Sequence, residues 1–310
     1  MKQQQNEGLL LLKRIVHGWE RRAKIRGDFI EEIFIKDRDD FLENLLPFHA
    51  HPIYRELDSQ QRTNCLSCGW IIYNEKTIMI ESDIVNPACK NIIDGKIIGL
   101  QTNDVRLAAC QTIIDEAYHT LLVEKANQMT RLHRNLHHIT YPAFNLNTAM
   151  RQAYATCDEI WMKPLLQVAT ATVTEILISE YLSDLSVCTT IQPMNRLTVA
   201  THLHDELAHS KLFSLILPQF FYRLSSKQKK FFSYYLAKAV TWFRNNELDV
   251  WKSVLEQLEV NKFREIIEDC RSSNIQSIKI NCSGLITVFK SNGILEDNYI
   301  QDIFSSLQIM

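Results

Sequence analysis

Two short copies of one pattern constrain this chain more than anything else in it. Residues 201–210 read THLHDELAHS and residues 114–120 read IDEAYHT, so both contain D-E-x-x-H. On an α-helix, a Glu and a His three positions apart stand on one face. In the later copy His202, Glu206 and His209 lie at offsets 0, 4 and 7 and share one stripe, with His204 on the opposite side. Glu-x-x-His elements on two helices, joined by a lone Glu from each of two others, form the inward-facing ligand set of helical bundles that hold a pair of iron or manganese ions.

Helix-face arithmetic finds two such lone glutamates. Glu81 shares its stripe with Asn74, Thr77, Ile78, Ile84, Val85 and Ala88. Glu175 shares its stripe with Val168, Ala171, Thr172, Ile178, Ser179 and Leu182. A carboxylate on so apolar a stripe is costly unless it is paired or bound to a metal. Glu81 precedes Glu116 by 35 positions and Glu175 precedes Glu206 by 31, a weak internal repeat of helix pairs. Four carboxylates offset much of the charge of two cations, and carboxylate with imidazole suits iron and equally allows manganese. The spacing therefore predicts Glu81, Glu116, His119, Glu175, Glu206 and His209 as metal ligands. Asp115 and Asp205 are placed to accept the second ring N–H of a ligand histidine. His202 is either a seventh ligand, which makes one metal richer in nitrogen, or a core histidine bonded to a neighbour.

Glycine and proline number only eight and seven among 310 residues, which favours long helices over a turn-rich β fold. The expected fold is all-α: a ferritin-like four-helix-bundle core with additional helices and a short irregular C-terminal tail, in one domain over 1–310. Helices are expected at 9–26, at 29–45 behind an Asp28 cap, at 57–88 ending near Pro87, and at 103–130. Residues 140–147 read as a linker, and 149–186 as one helix or as two broken near Pro164. Further helices are expected at 194–215, before a connection around Pro218, and at 226–246 and 248–271. Residues 278–286 form a short β-prone run. The aromatic residues Phe231, Phe232, Tyr234, Tyr235, Trp242 and Phe243 suit core packing or a homodimer contact. A formal net charge of −2 makes no electrostatic case for nucleic acid or an anionic membrane. No apolar run approaches the roughly 18 residues of a membrane span, and the lack of targeting features points to the cytoplasm. Eight cysteines in mostly apolar surroundings read as reduced core residues, including Cys65 and Cys68 of a lone C-x-x-C. His49 and His51 read as loop histidines, and His133, His137 and His138 as a solvated helix end.

The motifs together resemble the ferritin-like di-iron N-oxygenases related to p-aminobenzoate N-oxygenase. The resemblance rests on H-x-x-x-E-x-x-H at 202–209, PFHAHP at 47–52, GWIIYNEK at 69–76 leading to Glu81, IDEAYHT at 114–120 and TIQPM at 190–194. It runs from about residue 10 to 290. It implies seven ligands, with His202 among them, holding two irons that use O2 and electrons from an external donor. The reduced pair would form a peroxo-diferric species that takes a small aryl amine through hydroxylamine and nitroso stages towards a nitro product. Tyr73 matches a tyrosine at the edge of that family's substrate pocket. An asparagine lining the pocket falls at Ser179. The arginine that holds the substrate carboxylate falls at Ile280, beside Lys279, so the resemblance points to a neutral, larger or carrier-bound amine. Competing readings are hydroxylation of a C–H bond on the same metals, and a ferroxidase-type metal-handling bundle.

Overall fold

Caps and apolar stripes divide the chain into helices before the bundle assembles. The computed structural model describes residues 2–27, 33–272, 280–296, 298–307 and 309. Helix α1 (Lys2–Arg22) is followed by α2 (Pro52–Arg55) and α3 (Ser59–Ile80), a π-helical turn (Glu81–Val85), and α4 (Asn86–Ile93). Then come α5 (Asn103–Arg134), α6 (Asn145–Ala155), α7 (Met162–Val187), α8 (Pro193–Phe221) and α9 (Ser226–Phe243). The chain ends with α10 (Leu248–Gln257), α11 (Phe263–Ser272), α12 (Ser283–Ser291) and α13 (Asn298–Ser306). Asp58 caps α3 by accepting from the Gln61 backbone N–H at 2.8 Å. Ser225 and Gln228 form a capping box on α9.

The architecture is all-α, with a four-helix core of α3 continued by the π turn and α4, α5, α7 and α8. Helix α1 lies across α5 and α8, α9 packs on α7, and α12 and α13 close over α7 and α9. Two buried threonines of α7 return their hydroxyls to their own helix: Thr170 to the Leu166 carbonyl at 3.0 Å and Thr172 to that of Val168 at 2.7 Å. Phe232 and Phe243 of α9 are buried in the core, and Phe231, Tyr234 and Trp242 pack partly buried against it. No helix among the described residues is long and apolar enough to cross a membrane.

Several expected elements differ. The described part of 29–45 is not helical: it runs irregularly to a short 3-10 turn (Glu43–Leu45), with a single bridge from Asp39 to Ile191. Side chains hold this backbone in place of helical bonds. Gln192 accepts from the Ile35 N–H at 2.9 Å and donates to the Ile35 carbonyl at 2.8 Å. Arg134 binds the buried Asp40 carboxylate at 2.7 Å. The proposed Asp28 cap lies outside the described residues. Pro87 does not end its helix, because it falls where the π turn has already changed the hydrogen-bond register. Pro218 lies inside α8, which continues to Phe221. The break near Pro164 is real but sits before it, at 156–161, and Pro164 occupies the first turn of α7. Left-handed Glu259 (φ 55) and Lys262 (φ 55) divide the expected 248–271 helix into α10 and α11. In the described part of the β-prone run, 280–282 form no strand and α12 begins at Ser283, while Ile278 and Lys279 lie outside the described residues.

Candidate metal centre

Each of the four core helices delivers side chains to one level of the bundle. Glu81 stands where α3 gives way to the π turn, Glu116 and His119 lie midway along α5, Glu175 lies midway along α7, and His202, Glu206 and His209 line α8. All seven are at most 3% exposed. Donor atoms of Glu81, Glu116, His119 and His202 lie within 4.8 Å of one another, as do those of Glu116, Glu175, Glu206 and His209. Glu116 belongs to both groups. Its Oε2 is 3.0 Å from His119 Nδ1 and its Oε1 is 3.1 Å from His209 Nδ1. Glu206 Oε1 lies 3.1 Å from His202 Nε2, 3.4 Å from His119 Nδ1 and 3.2 Å from His209 Nδ1. The lone glutamates stand outside this pair. Glu81 Oε1 is 3.1 Å from His202 Nε2, and Glu175 Oε2 is 3.6 Å from His209 Nδ1.

The outer faces of two rings decide what the inner faces can do. His119 Nε2 meets Asp205 Oδ2 at 3.4 Å, and His209 Nε2 meets Asp115 Oδ2 at 3.1 Å. A carboxylate can only accept, so each Nε2 carries the proton and each neutral ring turns a bare Nδ1 lone pair inward. Those lone pairs face carboxylate oxygens. Glu81 Oε1, Glu116 Oε1, Glu175 Oε2 and Glu206 Oε2 are buried without a hydrogen-bond partner. Lone pairs converging on lone pairs need either protons or cations between them. An uncompensated buried ion costs several kcal/mol, so four would exceed much of the about 5–15 kcal/mol that holds a domain folded. The donor set fits metal ions: hard carboxylates with neutral imidazoles, in two overlapping groups.

Without cations, protons take their place. Burial raises the Glu175 carboxyl well above its usual range, and the Glu206 and Glu116 charges raise it further. Burial also raises Glu81, against the pull of His202. Burial works against Glu206 too, but His209, His119 and His202 outweigh it and hold that carboxyl well below its usual range. Burial opposes a proton on His119, yet bonds to Asp205, Glu116 and Glu206 hold its pKa well above the ordinary value. His209 is raised likewise, burial being outweighed by Glu206 and Glu116.

The Asp–His pairing crosses between helices: Asp205 of α8 serves His119 of α5, and Asp115 of α5 serves His209 of α8. Helix α1 completes this layer, and nothing in the motif spacing announced it. Trp19 Nε1–H donates to Asp115 Oδ1 at 2.9 Å and Oδ2 at 3.0 Å. Arg22 Nη1 binds Asp205 Oδ1 at 3.2 Å, and the Lys24 backbone N–H donates to Asp205 Oδ2 at 3.1 Å. Trp19 and Arg22 are spaced i, i+3 near the end of an ordinary amphipathic helix. Only their contacts with partners more than 90 positions away give them meaning.

Tyr73 is buried in α3, its hydroxyl is unpartnered, and its ring stacks on Tyr181 with centroids 4.6 Å apart. It borders a cavity of about 40 Å³, also lined by Lys76, Tyr181 and Glu247, with space for water but not for an aromatic amine. Ser179 is half-buried one turn beyond Glu175 on α7, and Ile280 packs partly buried against the core just before α12. The other histidines stand apart: His51 caps α2 and pairs with Asp269 at 3.1 Å, and His133, His137 and His138 are exposed. Burial raises the Cys65 and Cys68 thiols, which keeps them protonated and poor metal ligands.

The sequence matches the p-aminobenzoate N-oxygenase AurF family over residues 6–293. The chain belongs to that family. A 4-aminobenzoate N-oxygenase of Streptomyces thioluteus is 28% identical over 271 residues, covering 86% of this chain and 81% of the relative. This member of the p-aminobenzoate N-oxygenase family is thus an N-oxygenase enzyme, with buried Glu/His clusters able to hold the metal that such chemistry requires.

Proposed function

We propose that this chain holds two iron ions and uses O2 to oxidise an aryl amine towards hydroxylamine, nitroso or nitro product. The observation that carries the reading is the overlap of two buried donor groups at Glu116, with Glu206 beside it. Glu116 would serve both cations, and Glu206 stands beside it within 3.4 Å of His119 and 3.2 Å of His209. Glu81, His119 and His202 would hold one, and Glu175 and His209 the other, so the first is richer in nitrogen. Manganese suits the same donors. Bound there, a pair of redox-active ions supplies the reduction of O2. The protein's part is to keep water out of a fully buried site and to hold the His119 and His209 rings through Asp205 and Asp115.

The first oxygenation balances as RNH2 + O2 + 2e⁻ + 2H⁺ → RNHOH + H2O. A nitrogen–oxygen bond forms, and the second oxygen atom leaves as water. The electrons come from a separate donor. The substrate part of the reading follows from Ile280 at the position of the family's carboxylate-holding arginine. An apolar side chain cannot pair with a carboxylate, which favours a neutral, larger or carrier-bound amine over p-aminobenzoate itself. A homodimer in the cytoplasm belongs to the same reading. The exposed Leu107, Ile114 and Leu121, at heptad spacing on α5, support it.

Metal content per chain, measured on the wild type and on His202→Ala, tests the site. Iron close to two per chain, reduced in the variant, supports the reading. A folded wild type that binds no metal sinks it. Turnover of p-aminobenzoate is then compared with that of its neutral amide; a clear preference for the acid overturns the substrate class.

A further inference from the structure

The proposed reaction draws electrons from outside, yet every ligand is buried. Two hydrogen-bonded chains lead from the surface to ligands, Arg22–Asp205–His119 and one that begins on the aromatic ring of Trp19. Trp19 is partly exposed, and its indole N–H reaches Asp115 Oδ1 and Oδ2 at 2.9 and 3.0 Å. Asp115 Oδ2 lies 3.1 Å from His209 Nε2, and the other nitrogen of that ring faces Glu116 and Glu206 at 3.1 and 3.2 Å. Indole, carboxylate and imidazole thus join without a van der Waals gap. Electron tunnelling falls steeply with distance and crosses hydrogen bonds more readily than empty contacts, so this is a favoured route inward.

The outer face of the same helix has a charge that selects a partner. Lys13, Arg14, His17 and Arg21 are exposed on α1, with Glu20 as the acid among them. The whole chain carries a formal net charge of −2, so this is a local basic face on a nearly neutral protein. Such a face attracts and orients an acidic protein and leaves its mark on the association rate.

We propose that α1 is the electron-entry face: an acidic iron–sulfur protein docks on its basic side, and single electrons pass through Trp19, Asp115 and His209 to the metal pair. This rests on the N-oxygenase reading. Each transfer leaves the donor's cluster one electron more oxidised and one metal ion one electron more reduced. Trp19 conducts and is unchanged at the end.

The test mixes iron-loaded protein with reduced plant-type [2Fe–2S] ferredoxin under anaerobic conditions and follows loss of the ferric absorbance, with no amine present. Trp19→Phe, reloaded to full iron content before mixing, should undergo this reduction about tenfold or more slowly. The surface double variant Lys13→Glu/Arg14→Glu should raise the half-saturating ferredoxin concentration by about tenfold. Its rate at saturation should stay the same. Calorimetric binding of ferredoxin to the metal-free protein should weaken in parallel. Unchanged reduction in Trp19→Phe at full iron content overturns the route. If that variant loses iron, the surface variant decides, and wild-type ferredoxin dependence there overturns the proposal. A peroxide-driven assay separates the two readings, because RNH2 + H2O2 → RNHOH + H2O needs no electron donor. Wild type inactive with peroxide across aryl amines counts against N-oxygenation. Trp19→Phe active with peroxide but slow with ferredoxin supports the entry path.

Discussion

Glu116 is the side chain that both donor groups share. Glu116→Ala should therefore empty the site, whereas Glu175→Ala should leave about one metal per chain on the His119 and His202 side; metal analysis of the purified variants reads the difference. Asp205→Ala frees the outer nitrogen of His119 and should weaken metal affinity by about 10–100-fold, measured by chelator competition. The protons that substitute for metal also set a pH dependence. His119 and His209 are held above their ordinary pKa, and Glu175 well above its own. Below those raised values a metal must displace protons to bind. Affinity should thus fall as pH drops and rise with pH until the raised values are passed. Chelator competition at a series of pH values tests this, and a flat profile would contradict it.

At the scale of elements, the π turn decides where Glu81 points. A π turn contains one more residue per hydrogen-bonded loop than an α-helix, so it shifts everything before it by about 100° relative to an uninterrupted helix. Deleting Ser82 should restore α register, carry Glu81 off the metal stripe and lower metal content, while circular dichroism shows helix content preserved. The α9 cap gives a contrasting case. Ser225→Ala should cost about 0.5–2 kcal/mol in denaturant unfolding and leave metal content unchanged, because α9 packs on α7 away from the ligands. Gly99 takes φ +86, and a Cβ there would meet the Gln219 carbonyl oxygen at 2.6 Å. The loop before α5 therefore accepts only glycine without moving α8.

For the whole molecule, the proposed metal pair should be linked to the fold. A bundle that buries six carboxylates around one level, four from Glu and two from Asp, is more stable when cations occupy it. A ligand that binds only the folded state at 100 times its Kd adds about 2.7 kcal/mol. Stripping metal should therefore lower Tm by several degrees, and restoring iron should recover it, as read by calorimetry; equal melting of both forms would count against a metal-linked fold.

Much of this architecture was legible in the residues. The stripes of α3, α5, α7 and α8 follow from helical periodicity, which is local and needs no knowledge of neighbours. So the faces carrying Glu116, His119, Glu175, Glu206 and His209 could be read before any packing was known, while His202 entered the set through the family resemblance and Glu81 depends on the π turn as well. Where reading failed, a non-local contact had replaced a local preference. The segment before α2 looks helical, but Gln192 and Arg134 hold it open from far along the chain. Pro87 looks like a stop, but the π turn around Glu81 absorbs it. Periodicity told which face of each helix turns inward. Only the assembled bundle decided that Asp205 serves His119 and Asp115 serves His209, and that Trp19 and Arg22 back them both. Those choices depend on the distance between helices, which no stretch of a single helix encodes.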